Sequence, residues 1–420
     1  MAFLLREVIV MDPNSSHHGK TVDILLEDGL IKEIGTKLHS DAAVFQGRES
    51  GETLMLSPGF VDLFADYREP GFEQKETILT GLATAANGGF TDVFLLPNTL
   101  PVNDGRSGIE YALQKSRGQT VQLHPLGAIS QKIEGKSLAE MMDMRAHGAI
   151  AFTDGWKSIQ SSGLMLKALE YVKAFNGIVI HMPMDDSLAA GGLMHEGTNS
   201  TKLGMPGIPS LAESNMVQRD IELCKYTQSR LHLTGISCKE SVALIRQAKA
   251  EGVAVSCSVT PYHLLLNDDV LSTYDSLYKV SPPLRTEEDR KALIAGLADG
   301  TIECIASHHR PQDWDAKAKE FEYAGEGMAI QDIVLPLVIK AVGNAVSLER
   351  IIDALSIAPR RIFGLPSVSI QKNADVRFTL FAPDAAFTFS KESSPSLSRN
   401  NPFEGMALKG SVEAIFTNKN

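Results

Sequence analysis

The sequence predicts an α/β protein: a (β/α)8 barrel carrying a small β-sandwich formed by both chain ends. Eight apolar, β-rich runs lie between residues 60 and 308, and stretches of helical period follow them. The runs are continuously apolar, as parallel strands buried on both faces must be. Short alternating strands sit at both ends, and no Gly-x-Gly-x-x-Gly follows the first run, so a dinucleotide-binding open sheet is the weaker alternative. The expected division is residues 1–56 and 366–420 for the sandwich and 57–365 for the barrel.

The N-terminal module reads as strands at Phe3 to Met11, Thr21 to Glu27 and Gly29 to Gly35, broken by the hairpin signal Asp28-Gly29. Its packing partners are expected at Asp375 to Phe381 and Gly410 to Thr417. The barrel runs are Phe60 to Asp66, Thr91 to Pro97, Val121 to Ile129, Ala149 to Asp154, Gly177 to Met182, Arg230 to Gly235, Val253 to Val259 and Ile302 to His308. Helical period appears at Lys75 to Asn87, Ser162 to Phe175, Leu211 to Thr227, Ser237 to Ala250 and Glu287 to Ala298. Ala189 to Pro209, rich in glycine, reads as a loop on the barrel's upper face, and Ser390 to Ser398 as a mobile surface loop.

With 420 residues at 43% hydrophobic composition, the chain can bury one large core and a smaller one. A net charge of -11 argues against nucleic acid or an anionic membrane as partner, since either selects a basic face. The four cysteines (Cys224, Cys238, Cys257, Cys304) form no Cys-x-x-Cys pair and read as reduced buried thiols. No apolar run approaches the roughly 20 residues of a membrane span, and Phe3-Leu4-Leu5 is too short for a signal sequence. A cytoplasmic protein is expected.

Chemistry in such a barrel gathers where strands run out into their following loops. Those positions hold Phe64 and Asp66, Asn98, Asp154, His181, Gly235, Ser281, His308 and His309. Taken as residue types alone, Asp66, Asp154, His181 and His308 make a mixed nitrogen and oxygen ligand set for a divalent metal, although no two of them share a short motif.

Pro58-Gly59-Phe60-Val61-Asp62-Leu63, followed by Arg68-Glu69-Pro70-Gly71, resembles the first barrel strand of dihydroorotases, metal-dependent cyclic-amide hydrolases of the amidohydrolase superfamily. The resemblance continues through Lys75-Glu76-Thr77, Gly88-Gly89-Phe90-Thr91, Pro97-Asn98-Thr99, Phe152-Thr153-Asp154, Glu196-Gly197, Arg219-Asp220, Thr260-Pro261 and Pro282-Pro283-Leu284-Arg285. It implies a barrel-plus-sandwich fold, with Asp154 and His181 in metal-ligand places and Arg68 and Asn98 in the places that hold the substrate carboxylate.

Six departures fall on the same cavity, four of them at metal-ligand places. The family's strand-one His-x-His reads Phe64 and Asp66, its strand-six histidine reads Gly235, and the aspartate of Thr-Asp-His-Ala-Pro-His reads His308. Gln312 replaces the final histidine of that motif, and Ser281 replaces an asparagine. Hydrolysis of an unactivated cyclic amide needs a metal to lower the pKa of bound water from 15.7 to about 7. Phenylalanine and glycine donate nothing to zinc. The expectation is therefore an inactive dihydroorotase homologue with no metal, no cofactor and no catalytic residue. The resemblance implies a structural or regulatory role, such as assembly with aspartate carbamoyltransferase, in a homo-oligomer.

Two other readings stand beside it. One is an active dihydroorotase using Asp66, Asp154, His181 and His308 around zinc; the other is a metal-free site for dihydroorotate or carbamoyl-aspartate on Arg68 and Asn98. For the single residues, Phe64 is expected as core filler, and Asp66 in an ion pair with Arg68 or the 308–310 run. Asp154 and His181 are expected bonded to each other, Arg68 either fixed by Glu69 or a backbone carbonyl or binding a carboxylate, and His232 and His263 in the core.

Overall fold

The computed structural model describes residues 2–45 and 52–418. Its centre is a closed parallel barrel. Phe60–Ala65, Phe90–Leu95 and Gln122–Pro125 form one hydrogen-bonded arc, and Val179–His181, Leu231–Leu233, Val255–Val259 and Cys304–Ile305 form the other. Single bridges join the arcs, Phe152 pairing with Gly127 and Val179 on one side and Ala65 with His309 on the other. Every residue of Phe60–Ala65 and Phe90–Leu95 is buried, as the unbroken apolar runs require.

Every barrel strand is shorter than the apolar run that predicts it, the fourth and the last most of all. Ala149 to Asp154 contributes bridges but no ladder. The last strand stops at Ile305 because the Asp62 carboxylate takes the Ser307 N–H at 2.9 Å and the Ser307 hydroxyl takes the His309 N–H at 3.0 Å. Side chains there satisfy the backbone in place of a neighbouring strand.

Both chain ends share one sheet, in the order Ala407–Thr417, Arg377–Thr388, Met55–Pro58, Ala2–Val10, Thr21–Glu27, Leu30–Gly35, with Ala43–Val44 beside Ala2–Val10. Asp28 and Gly29, at φ 51° and 75°, are the two residues between paired Glu27 and Leu30, the positive-φ geometry of a type I′ hairpin. The sheet is bolted to the barrel through Thr379, whose hydroxyl donates to Gly89 O at 2.6 Å and accepts from Phe60 N at 3.3 Å. At this crossing a Cβ on Gly59 would lie 2.1 Å from Thr91 Oγ1, so only glycine fits.

Helices Leu211–Thr227 and Glu287–Ala298 match the helical period end to end. The second starts on a reciprocal cap between Thr286 and Asp289. The first helix begins at Ile78 rather than Lys75, because Thr77 caps it through Thr80 N and leaves Lys75 and Glu76 outside.

Two loop expectations are corrected. Ala189 to Pro209 carries a helix, Thr198–Leu203, and a parallel pair of Met194–His195 with Gly207–Ile208. Ser390 to Ser398 is tied down: the Ser396 hydroxyl donates to Glu76, and Ser398 Oγ to Lys75 O at 2.6 Å. Beneath it the Asp332 carboxyl is buried without a well-formed hydrogen bond, and burial raises its pKa above the usual carboxylate value. A carboxyl whose pKa is raised on folding stabilises fully below its unfolded value and loses that contribution as pH rises through the folded one. Asp332→Asn is therefore expected to raise stability by about 1 kcal/mol at neutral pH and to flatten its pH dependence, read by urea unfolding across pH. Equal stability of the two proteins at pH 7 would contradict this.

Candidate functional site

The exit of the first barrel strand turns through Asp66, Tyr67 and Arg68, and Arg68 adopts a left-handed φ of 61°. This turn is held from within. Asp66 Oδ1 accepts the Arg68 N–H at 3.1 Å, and Oδ2 accepts Arg68 Nη1 at 2.8 Å and Trp156 Nε1 at 2.8 Å. The Arg68 guanidinium also lies 4.7 Å over the Phe72 ring. The expected Asp66–Arg68 ion pair forms; Arg68 is not held by Glu69, whose carboxylate instead serves Ile78 N, Tyr111 and Lys115.

Phe64 is fully buried and stacks on His308, with ring centroids 4.3 Å apart at 24°. Trp156 meets both edge-on, at 5.0 Å and 5.5 Å, and Arg310 lies 4.4 Å over the Trp156 ring. His308, at a left-handed φ of 48°, shares a 2.7 Å hydrogen bond between its Nε2 and Thr234 Oγ1, and its Nδ1 is buried without a partner. Burial first, then His263, His232 and Arg310, hold its pKa well below the usual histidine value, so the ring is neutral.

Gly235 completes the plug by having no side chain. A Cβ there would stand 2.8 Å from His308 Cε1, in a residue already at φ 69°. The space a side chain at 235 would occupy now holds the His308 ring.

Asp154 and His181 survive but do not bond to each other, contrary to expectation. Asp154 Oδ1 accepts the N–H groups of Ile129 and Ser130, each at 2.9 Å, and Oδ2 accepts the Ser130 hydroxyl. Burial nonetheless raises its carboxyl above the usual value. The Ile159 N–H reaches His181 Nε2 at 2.8 Å, which marks that nitrogen as the bare one and places the ring proton on Nδ1, 2.6 Å from Asp220 Oδ2. Asn98 donates from Nδ2 to Asp154 O at 3.2 Å, and its Oδ1 is buried without a partner. Gln312 accepts from Lys75 Nζ at 2.7 Å. His232 and His263 are buried, and burial takes their pKa values down to about 3 and about 4.

This donor set does not fit zinc. Phe64 and Gly235 have no lone pair to give, His181 has spent its bare nitrogen on a backbone N–H, and both oxygens of Asp66 and Asp154 are engaged. Among the described residues no three His, Cys, Asp or Glu side chains converge to hold a metal. Asp66, Asp154, His181 and His308 line one region and point into four separate hydrogen-bond sets.

Trp156 went unnoticed in the sequence, and Arg310, expected there only as part of a run facing Asp66, instead pairs with Glu326 at 2.9 Å and lies over the Trp156 ring. The only usable signal was that Trp156, one of two tryptophans, lies two residues past Asp154. Asp220, the partner of His181, stood in a matched segment without a role.

Residues 53–241 match the family model described as Dihydro-orotase-like. The protein named dihydroorotase in Syntrophus aciditrophicus is 39% identical over 417 residues, covering 98% of this chain and 97% of that one; the one in Acetivibrio thermocellus is 38% identical, covering 98% and 96%. Among solved structures, L-hydantoinase (dihydropyrimidinase) from Arthrobacter aurescens superposes with a TM-score of 0.85 at 22% identity, over 100% of this chain and 95% of that one. That likeness is one of fold, a barrel with its accompanying sandwich.

Proposed function

The chain belongs to the dihydroorotase-like family, and from that premise we propose that it is a member, in pyrimidine biosynthesis, that has given up zinc-dependent hydrolysis for a structural or regulatory role in assembly with aspartate carbamoyltransferase. One observation carries the reading: Phe64 lies stacked on His308, with Gly235 making room for the ring, and the resemblance assigns all three positions to metal ligands. Ring opening of dihydroorotate needs a hydroxide made available at neutral pH, and neither a neutral buried imidazole nor a carboxylate bound to Arg68 supplies one. The polar groups that remain stabilise the mouth of the barrel, and the upper loops are left free to serve as a contact surface.

A second reading, an active zinc-dependent dihydroorotase with an altered centre, is favoured by identity of 38–39% along nearly the whole chain to proteins that carry that name. Elemental analysis and a dihydroorotate hydrolysis assay with and without added zinc separate the two. Substoichiometric zinc and no turnover are expected, together with co-purification of the chain with aspartate carbamoyltransferase. Stoichiometric zinc with turnover would establish the second reading. An inactive chain that shows no association with the transferase would remove the assembly role.

A further inference from the structure

At the end of the barrel opposite Arg68 and His308, the N-terminal ends of the second and third strands open on a cavity of about 560 Å3 between barrel and sheet. Its centre is an unusual balance of charge. Asp92 Oδ1 takes His124 Nε2 at 2.9 Å and Arg377 Nη1 at 2.6 Å, and Oδ2 takes the Thr91 hydroxyl at 2.8 Å and Arg360 Nη2 at 2.6 Å. Two guanidiniums and an imidazole thus rest on one carboxylate. The other acid on the wall, Asp375, is exposed and screened by solvent.

The guanidiniums have donors to spare. Arg360 is 4% exposed and makes all its hydrogen bonds through Nη2, to Gly59 O, Thr91 Oγ1 and Asp92. Its Nε is buried without a partner and its Nη1 donates to no described residue. Among the described residues Arg377 donates only through Nη1. A buried cation with unspent N–H groups, beside a second cation on a cavity wall, is a site short of an anion. The rest of the wall is mostly polar, with Gln122 and Asn373 among its residues.

We propose that this cavity binds a small, polar phosphate monoester, its phosphate held between Arg360 and Arg377 and its body against the amide side chains. Guanidinium forks match phosphate oxygens in pairs, and a dianion answers the excess of cations over Asp92 better than a monocarboxylate would. The volume suits a small metabolite. Arg360 lies on the helix Ala358–Phe363 of the barrel and Arg377 opens a strand of the sheet, so the ligand would join the two.

Calorimetry on the full chain with inorganic phosphate and with ribose 5-phosphate tests this. One saturable site is expected for each, ribose 5-phosphate binding more tightly. Arg377→Gln is expected to weaken both roughly tenfold, the effect of one lost charge-assisted contact. Gln122→Glu, which leaves the ion cluster intact and sets a negative charge on the wall, is expected to abolish binding, and keeps the test open if Arg377→Gln folds poorly. No heat from either probe at millimolar concentration, or unchanged binding in Gln122→Glu, would overturn the site. So would binding lost in Arg68→Gln, because the anion would then sit at the opposite end of the barrel. None of these outcomes depends on whether zinc binds at that end.

Discussion

Gly235→Ala is expected to destabilise the protein by about 2 to 4 kcal/mol, from a left-handed backbone unsuited to a side chain together with overpacking against a buried ring. The new methyl group would meet His308 Cε1 at 2.8 Å, and that ring cannot withdraw because Phe64 stacks on its face and Thr234 holds its Nε2. The cost should be strongly coupled to His308. In His308→Ala the same glycine substitution should cost only about 1 kcal/mol, the backbone part. Urea unfolding of the four proteins of this cycle measures the coupling. Additive costs would show that the ring and the glycine are packed independently, contrary to the contact described.

Asp92→Asn should cost about 3 to 5 kcal/mol, because it takes the counter-ion from Arg360, which reaches the cavity but is 4% exposed. Burial works against the Asp92 charge, but Arg360, His124 and Arg377 outweigh it and hold the carboxyl far below the usual carboxylate value. A carboxyl with its pKa depressed on folding contributes stability above its unfolded value, and that contribution drains away as pH falls below about 3.9. The wild type should lose stability steeply in acid, and Asp92→Asn should show a flatter acid limb from a lower start. Replacing both partners, in Asp92→Asn with Arg360→Met, should recover part of the loss. A single variant as stable as the wild type at pH 7 would mean that solvent or an anion in the adjoining cavity replaces the carboxylate.

The barrel was legible because its signals are local and repeated. Each apolar run carries its own evidence of burial, Asp28-Gly29 announces its turn, and Thr286 with Asp289 marks a helix start within four residues. The candidate site was legible as a set of substitutions, since Phe64 and Gly235 exclude ligation whatever surrounds them. Hydrogen-bond partners were not legible. Asp154 and His181 sit at neighbouring strand ends, yet each is claimed by groups offered from elsewhere: Ser130 by the preceding loop, Asp220 by a helix 39 residues further on. Which of several polar groups wins depends on distances of a few tenths of an ångström, and no spacing in the chain encodes those. Lys75 and Glu76 fell outside the first helix for a related reason, Thr77 capping it while Glu76 turned to Ser396, 320 residues away.

The fit of Gly235 around His308 also bears on how such a chain can change over generations. Histidine placed at 235 alone meets the ring at 308, and aspartate placed at 308 alone sets a buried carboxylate against the face of Phe64. Restoring histidine at 64 alone buries an imidazole beside another neutral one. Each of these single substitutions strains the present packing, so the three positions can change only together. The packing of 64, 235 and 308 thus behaves as a ratchet, and its pawl is a glycine.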